Sequence, residues 1–368
     1  MADDASIRTE RRGRVAHLVL NRPKSINALD HEMALTMDNA LHAWATDDAI
    51  ETVVISGAGE RGLCAGGDIV AIHRDGVELS GVDADGGAHD DHDAAASPSG
   101  RFWHDEYLLN EYIANYPKPY VAIMDGIVMG GGVGISAHGN TRVVTDRTKL
   151  AMPEVGIGFV PDVGGTHLLA QVPDHLGTYL ALTAAPIDGA EAIALGLADH
   201  YVPAEKLGEL VAALADRPAA EVLARFSIEP PAAGLLDQRS WIAEAFAADD
   251  VDEIIARCRA VGSDFATKTA ERIAAKSPLA LRVALRSLRA AQHDATLADS
   301  LRREYRVSLR SLLFPDLAEG IRAQVIDKDR NPAWRPADTI DAAAIDAFFA
   351  PLPDDIELTF EVESSTNA

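Results

Sequence analysis

Over the first half of the chain, short apolar runs bounded by polar turns alternate with longer stretches of helical period. Residues 15–20 (Val-Ala-His-Leu-Val-Leu) and 52–56 (Thr-Val-Val-Ile-Ser) predict strands, as do 120–124 and 142–145. Between the first two, Asp30 precedes an amphipathic stretch over 32–45, where a helix N-cap belongs. Strands alternating with helices predict an α/β fold. From Pro218 the strand signal fades. Helical spacing covers 219–225, 238–247, 250–260 and 263–276, and Pro278 opens a further helix to 292 at a plausible first position. Residues 297–313 and 317–326 continue the pattern. Over 354–362, Ile356, Leu358, Phe360 and Val362 alternate with polar residues, which suits an edge strand or an extended arm, with a frayed tail as the bland alternative.

These patterns divide the chain into an α/β core over 1–217, a helical region over 218–350 and an acidic tail over 351–368. Within the core, Gly, Asp, Ala, His and Ser dominate 75–100, which predicts a mobile surface loop. The stretch contains His89, His92 and Asp93, but so acidic and glycine-rich a segment is read as solvated loop rather than metal site.

Composition narrows the function. The 368 residues are 48% hydrophobic, enough for a large core. No apolar run approaches the ~18 residues of a membrane span, and the acidic start resembles no signal peptide. Cys64 and Cys258 stand far apart, so a reduced, cytoplasmic protein is expected. A net charge of −24 argues against nucleic acid or an anionic membrane as partner, and it means that a polyanionic ligand needs a local basic patch.

No nucleophile elbow, phosphate-binding loop or zinc-protease motif occurs. Gly57, Gly59 and Gly62 match a dinucleotide fingerprint, but Gly66 and Gly67 would break the helix such a fingerprint opens. Two other glycine clusters carry more: Cys64-Ala-Gly-Gly-Asp68 and Met129-Gly-Gly-Gly-Val-Gly134, each after a strand. Glycines let backbone N–H groups approach a ligand, and two such donors aimed at one oxygen make an oxyanion hole. Either cluster alone reads better as a tight turn. Downstream, Glu154 and Asp162 are the acidic residues in an otherwise apolar run from Leu150 to Gly165. Carboxyls in apolar surroundings have raised pKa values and suit acid–base or nucleophilic work. Their bland readings are a loop hydrogen bond at Glu154 and a helix cap at Asp162.

Taken together these residues resemble the crotonase (enoyl-CoA hydratase/isomerase) superfamily. Asn21-Arg-Pro-Lys-Ser-Ile-Asn-Ala-Leu29 is similar to its N-terminal motif, 64–68 to its first oxyanion loop and 130–132 to its second, and the likeness runs over roughly 8–351. The resemblance implies a spiral of β-β-α turns, a CoA thioester as substrate and no metal or organic cofactor. Residues 128–139, 151–165 and 319–334 are most similar to the subfamily that hydrolyses 3-hydroxyisobutyryl-CoA, a step of valine breakdown. Hydratases of the superfamily use two glutamates. Glu154 matches the second, whereas Gly134 stands at the first, and Asp162 matches a hydrolase carboxylate.

By that resemblance the N–H groups of Gly67 and Gly131 bind the thioester oxygen. Glu154 attacks the carbonyl or activates water, Asp162 orients the substrate hydroxyl or assists proton transfer, and Glu106 contacts substrate. Arg22 and Lys24 are candidates for the CoA phosphates, with Lys276 and Lys328 behind them. The rival readings are an enoyl-CoA hydratase or isomerase with a single essential glutamate, and a non-catalytic CoA-binding protein. Superfamily members form trimers or dimers of trimers, so a homo-oligomer is implied.

Overall fold

The structure, a computed structural model, describes residues 5–81 and 88–360. Among the described residues, ten strands form two sheets. β1 (Ile7–Arg12), β2 (Val15–Leu20), β3 (Thr52–Gly57), β5 (Tyr120–Met124), β7 (Thr141–Val144) and β10 (His200–Tyr201) make the first, in the order β1-β2-β3-β5-β7-β10. β4 (Gly62–Cys64), β6 (Ile127–Met129), β8 (Lys149–Ala151) and β9 (Ile187–Asp188) make the second, in the order β4-β6-β8-β9. Apart from the β1–β2 and β8–β9 pairs, the pairings are parallel. Consecutive strands β3 and β4, β5 and β6, and β7 and β8 each give one strand to each sheet, so the chain winds as the expected β-β-α spiral. Parallel strands covered on both faces read as unbroken apolar runs, and all five residues of β5 are buried.

The helices are α1 (His31–Ala45), α2 (Ile69–Leu79), α3 (Asp91–Ala96), α4 (Pro98–Ala114), α5 (Gly131–Ala137), α6 (Gly165–Ala170), α7 (Leu176–Thr183), α8 (Gly189–Ala194) and α9 (Leu207–Leu214). The C-terminal part adds α10 (Ala219–Phe226), α11 (Arg239–Ala245), α12 (Val251–Val261), α13 (Asp264–Ala274), α14 (Pro278–Ala291), α15 (Leu297–Leu312), α16 (Pro315–Ile321) and α17 (Ala342–Ala347). Asp30 caps α1 as anticipated, its carboxylate accepting from Met33 N at 2.9 Å.

Chain contacts divide the molecule into two compact units. One holds residues 1–67, 109–151 and 186–237; the other holds 68–108, 152–185 and 238–368. The first contains both sheets. Its core packs Val54, Val121, Ile123, Val143 and Val202 against Leu210, Leu214, Val222 and Leu223 of α9 and α10. The second is helical.

The loop expected over 75–100 is corrected. α2 runs through Leu79, α3 occupies 91–96 and α4 starts at Pro98. Among the described residues of the stretch, Asp90 caps α3, Asp93 completes that cap and Asp75 braces α4. The Asp90 carboxylate accepts from His92 N and Asp93 N, and the Asp93 carboxylate accepts from Asp90 N. Buried Asp75 accepts from Ser99 N at 2.8 Å and Ser99 Oγ at 2.6 Å, holding the first turn of α4. Residues 82–87 of that stretch lie outside the described residues, as do 361–368 of the tail. Residues 354–360 form no strand, yet Leu358 and Phe360 are buried and Arg302 Nε donates to Leu358 O at 3.2 Å. The candidate fingerprint at Gly57, Gly59 and Gly62 is the turn from β3 into strand β4.

Candidate active site

In the sheet unit the two glycine clusters meet. Gly66 has φ +107°, a backbone state that glycine reaches freely. A Cβ built on it would stand 3.4 Å from Met129 O and 3.8 Å from Gly131 N. On the other cluster, a Cβ at Gly132 would fall 2.6 Å from Cys64 O, so no side chain fits there. Gly130, at φ +50°, turns the chain from β6 into α5, whose first residue is Gly131. First-turn N–H groups have no intrahelical acceptor. Residues 26–29 lie along the first cluster, with Ala65 N donating to Ile26 O at 3.0 Å and Leu29 N to Gly66 O at 2.8 Å.

That adjacency puts the candidate phosphate residues on the turn beside the cluster. Arg22 is engaged there: its Nη1 donates to Ala28 O at 2.6 Å and lies 3.3 Å from Asp30. Lys24 is exposed, and its backbone carbonyl is held by Arg61 Nη2 at 2.6 Å. In the helical unit, half-buried Lys276 stands close to the 154–157 turn, with Nζ 3.4 Å from a Cβ built on Gly156. Lys328 is exposed.

The helical unit gathers the carboxylates. Glu154 begins a 3-10 turn (Glu154–Ile157), three residues after the end of β8, the parallel neighbour of β6. It is 6% exposed, and its Oε2 has no hydrogen-bond partner among the described residues. Burial, reinforced by the charge of Asp162, pushes its carboxyl well above the usual range. Burial also raises Asp162 to about 7, against hydrogen bonds that favour its ionised form. The first of these comes from Tyr107 Oη at 2.8 Å, and the Tyr107 hydroxyl also pairs with Ser308 Oγ at 2.7 Å. Glu106, one residue before Tyr107 on α4, is raised by burial and then by Asp162, and its Oε1 is unpartnered among the described residues. Glu106, Glu154 and Asp162 therefore form one electrostatically linked group. Trp103, a turn earlier on α4, stacks on Phe159 with ring centroids 5.3 Å apart, tying α4 to the segment between the two carboxylates.

A further buried carboxylate, Glu304 on α15, was not foreseen. It accepts from Gly164 N at 2.6 Å, from Thr166 N at 3.0 Å and from Thr166 Oγ1. These bonds clamp the chain just after Asp162, where Val163 takes φ +53°, a costly state for a β-branched residue. Burial raises Glu304 to about 8 despite these donors. Tyr107, Ser308 and Thr166 were likewise missed. The available signal was polar residues falling in the buried stripes of amphipathic helices: Glu106 and Tyr107 on α4, and Glu304 and Ser308 on α15. Among the described residues no three His, Cys, Asp or Glu side chains are grouped as metal ligands.

Comparison with known proteins gives this geometry a context. Residues 15–349 match the family described as enoyl-CoA hydratase/isomerase. A Danio rerio protein named mitochondrial 3-hydroxyisobutyryl-CoA hydrolase is 38% identical over 340 residues, 89% of this chain and 84% of that protein. Among solved structures, one titled as a carnitinyl-CoA dehydratase from Mycobacterium thermoresistibile is 51% identical with a TM-score of 0.89, covering 97% of this chain and 99% of that one. Another, titled as an enoyl-CoA hydratase from Rhodobacter sphaeroides, is 36% identical with a TM-score of 0.86 over 97% of this chain and 100% of that one.

Proposed function

We propose that this chain, which belongs to the enoyl-CoA hydratase/isomerase family, hydrolyses a short β-hydroxyacyl-CoA thioester, 3-hydroxyisobutyryl-CoA foremost, to the free hydroxy acid and CoA. The observation that carries the reading is Glu154, a buried carboxylate with a free oxygen beside a second carboxyl at Asp162. Such a group is an available nucleophile or base, with few competing bonds to break. The name of the Danio rerio relative supports hydrolysis. So does Gly134, which stands where hydratases carry their first glutamate.

In this reading the N–H groups of Gly67 and Gly131 take the thioester oxygen and stabilise the charge that develops on it. Glu154 then follows one of two routes. It adds to the carbonyl and expels the CoA thiolate, leaving a mixed anhydride that water opens; or it takes a proton from water, whose oxygen adds directly. Either way one water is consumed, and one carboxylic acid and one thiol leave. Asp162 orients the β-hydroxyl or carries the proton to the departing sulfur, and Glu106 contacts the acyl group. Lys24, with Arg22 as its structural neighbour, meets the CoA phosphates. No metal or organic cofactor enters, since CoA is part of the substrate. A homo-oligomer and a reducing, cytosolic setting complete the reading. Cys64 and Cys258, both buried and neither in a disulfide, suit that setting, although the Danio rerio relative is described as mitochondrial. No described helix is long and apolar enough to cross a membrane.

The second reading is an enoyl-CoA hydratase or isomerase working with Glu154 as its single essential carboxylate; one solved structure at 51% identity is titled a dehydratase, but the hydrolase names of the curated relatives do not favour this reading. One experiment separates them. The protein is incubated with 3-hydroxyisobutyryl-CoA and with crotonyl-CoA while free thiol and enoyl absorbance are followed. Thiol release that falls about 100–10,000-fold in Glu154→Ala is the expected outcome. Change in enoyl absorbance without thiol overturns hydrolysis in favour of the second reading.

A further inference from the structure

α15 carries two polar stripes of opposite use. Glu304 and Ser308, four apart and fully buried, face the carboxylates. Glu304 holds Gly164 N and Thr166 N, and Ser308 pairs with the Tyr107 hydroxyl that bonds Asp162. Arg302, Arg306 and Arg310 form the other stripe, each two residues from one of that pair and so roughly 200° around the helix. All three arginines meet one stretch of chain, the arm over 348–358. Arg302 Nε donates to Leu358 O at 3.2 Å. Arg306 Nε donates to Glu357 Oε2 at 2.9 Å, and that oxygen also accepts from Leu352 N at 3.2 Å. Arg310 Nη1 donates to Phe348 O at 3.1 Å and Ala350 O at 2.5 Å, and its Nη2 to Pro351 O at 3.3 Å. Leu352 and Leu358 of the arm are buried.

Apolar packing is non-directional and lets a helix slide or turn at small cost, whereas a guanidinium fork bonded to fixed oxygens sets both its height and its rotation. The three anchors span about 12 Å of the helix axis. A shift of α15 large enough to break the bonds of Glu304 has also to break those of the arm. We infer that the arm over 348–358 is a brace that sets where Glu304 and Ser308 stand, and that Arg306, its central anchor, is a positioning residue for Asp162. Loosening the brace frees the 162–166 segment and the Tyr107 hydroxyl together, so Asp162 loses both its backbone clamp and its hydrogen-bond donor. The inference rests on the hydrolase reading for its effect on rate, and on the geometry of α15 alone for its effect on the 162–166 segment.

The test replaces Arg306 by methionine, long and uncharged, in the full chain and follows both rate and amide exchange. On 3-hydroxyisobutyryl-CoA, kcat is expected to fall by about 10–100-fold with KM within about twofold, because the brace bears on Asp162 and not on the CoA contacts proposed above. Deuterium exchange of peptides covering 162–170 is expected to speed up at least about tenfold, while that of peptides covering 279–291 of α14, in the same unit, changes less than about twofold. Arg306→Lys, which keeps the charge and a single donor toward Glu357, recovers part of both effects and stands in for the methionine variant if that one does not fold. Exchange over 162–170 that is unchanged, or raised equally in both segments, shows an ordinary packing role and overturns the inference. An intact kcat, or a loss confined to KM, overturns it as well. If the native protein releases no thiol from the thioester, the hydrolase reading fails, and the exchange measurement alone then decides for or against the brace.

Discussion

Glu154 and Asp162 titrate against each other, and that coupling makes a prediction about rate. In the proposed hydrolysis Glu154 works only when ionised, whether it attacks the carbonyl or takes a proton from water. Burial raises its pKa first, and the negative charge of Asp162 raises it further. Activity therefore has an acid limb displaced above the usual carboxylate range. In Asp162→Asn the neighbouring charge is gone at every pH, so Glu154 ionises at lower pH. The acid limb of kcat/KM is expected to move down by about one unit, alongside a fall in the maximum rate of about 10–100-fold. A pH–rate profile on 3-hydroxyisobutyryl-CoA measures both. A limb that stays in place or moves up contradicts the coupling. The separate fall in maximum rate tells the electrostatic role of Asp162 from its chemical one.

At the level of the element, the segment from Asp162 to Thr166 keeps its shape because a carboxylate on α15 holds it. Glu304 has its pKa raised to about 8 from an ordinary 4.5, so the folded protein binds a proton in that window that the unfolded chain has released. Stability from this group is thus full below about pH 4.5, declines as pH rises and is gone above about 8. Glu304→Gln removes that dependence. It also adds a pH-independent cost, since an amide nitrogen must face the N–H donors of Gly164 and Thr166. Urea unfolding at pH 5 and pH 8 is expected to show native stability falling relative to the variant by on the order of 1–4 kcal/mol across the interval. A difference that is flat with pH sinks the assignment. This element also marks where the sequence was readable and where it was not. Strands such as β3 and β5 announced themselves because both their faces are buried, and α1 because Asp30 caps an amphipathic run. Glu154 and Asp162 stood out because nothing else acidic surrounds them. Glu304 and Ser308 were hidden, because on an amphipathic helix a polar residue in the buried stripe is one position from the solvated face. Only the packed helix shows which way it turns. The 75–100 segment failed for the opposite reason: Asp75, Asp90 and Asp93 read as solvated loop, although each caps or braces a helix.

On the scale of the whole molecule, a net charge of −24 opposes the polyanionic CoA thioester of the proposed reaction, so its phosphates need a local positive field. The 22–30 turn offers Arg22, Lys24 and, bracing it, Arg61. Arg22 is committed to Ala28 O and Asp30, and Arg61 to two backbone carbonyls, so their charges are fixed in place while Lys24 is exposed. Surface charges act within a Debye length of roughly 10 Å at 0.1 M salt. Lys24→Ala should therefore raise KM for the CoA thioester by about 3–10-fold at 20 mM salt and leave kcat unchanged, because the phosphates are remote from the bond being broken. At 0.5 M salt the difference between native and variant should shrink below about twofold. The background repulsion of the acidic chain is screened by the same salt, so the KM of Lys24→Ala should itself fall as salt rises, and more steeply than that of the native protein. A variant whose KM matches the native value at low salt moves the phosphate site away from this turn, and a fall in kcat with KM unchanged makes Lys24 a support of the glycine loop instead of a contact for CoA.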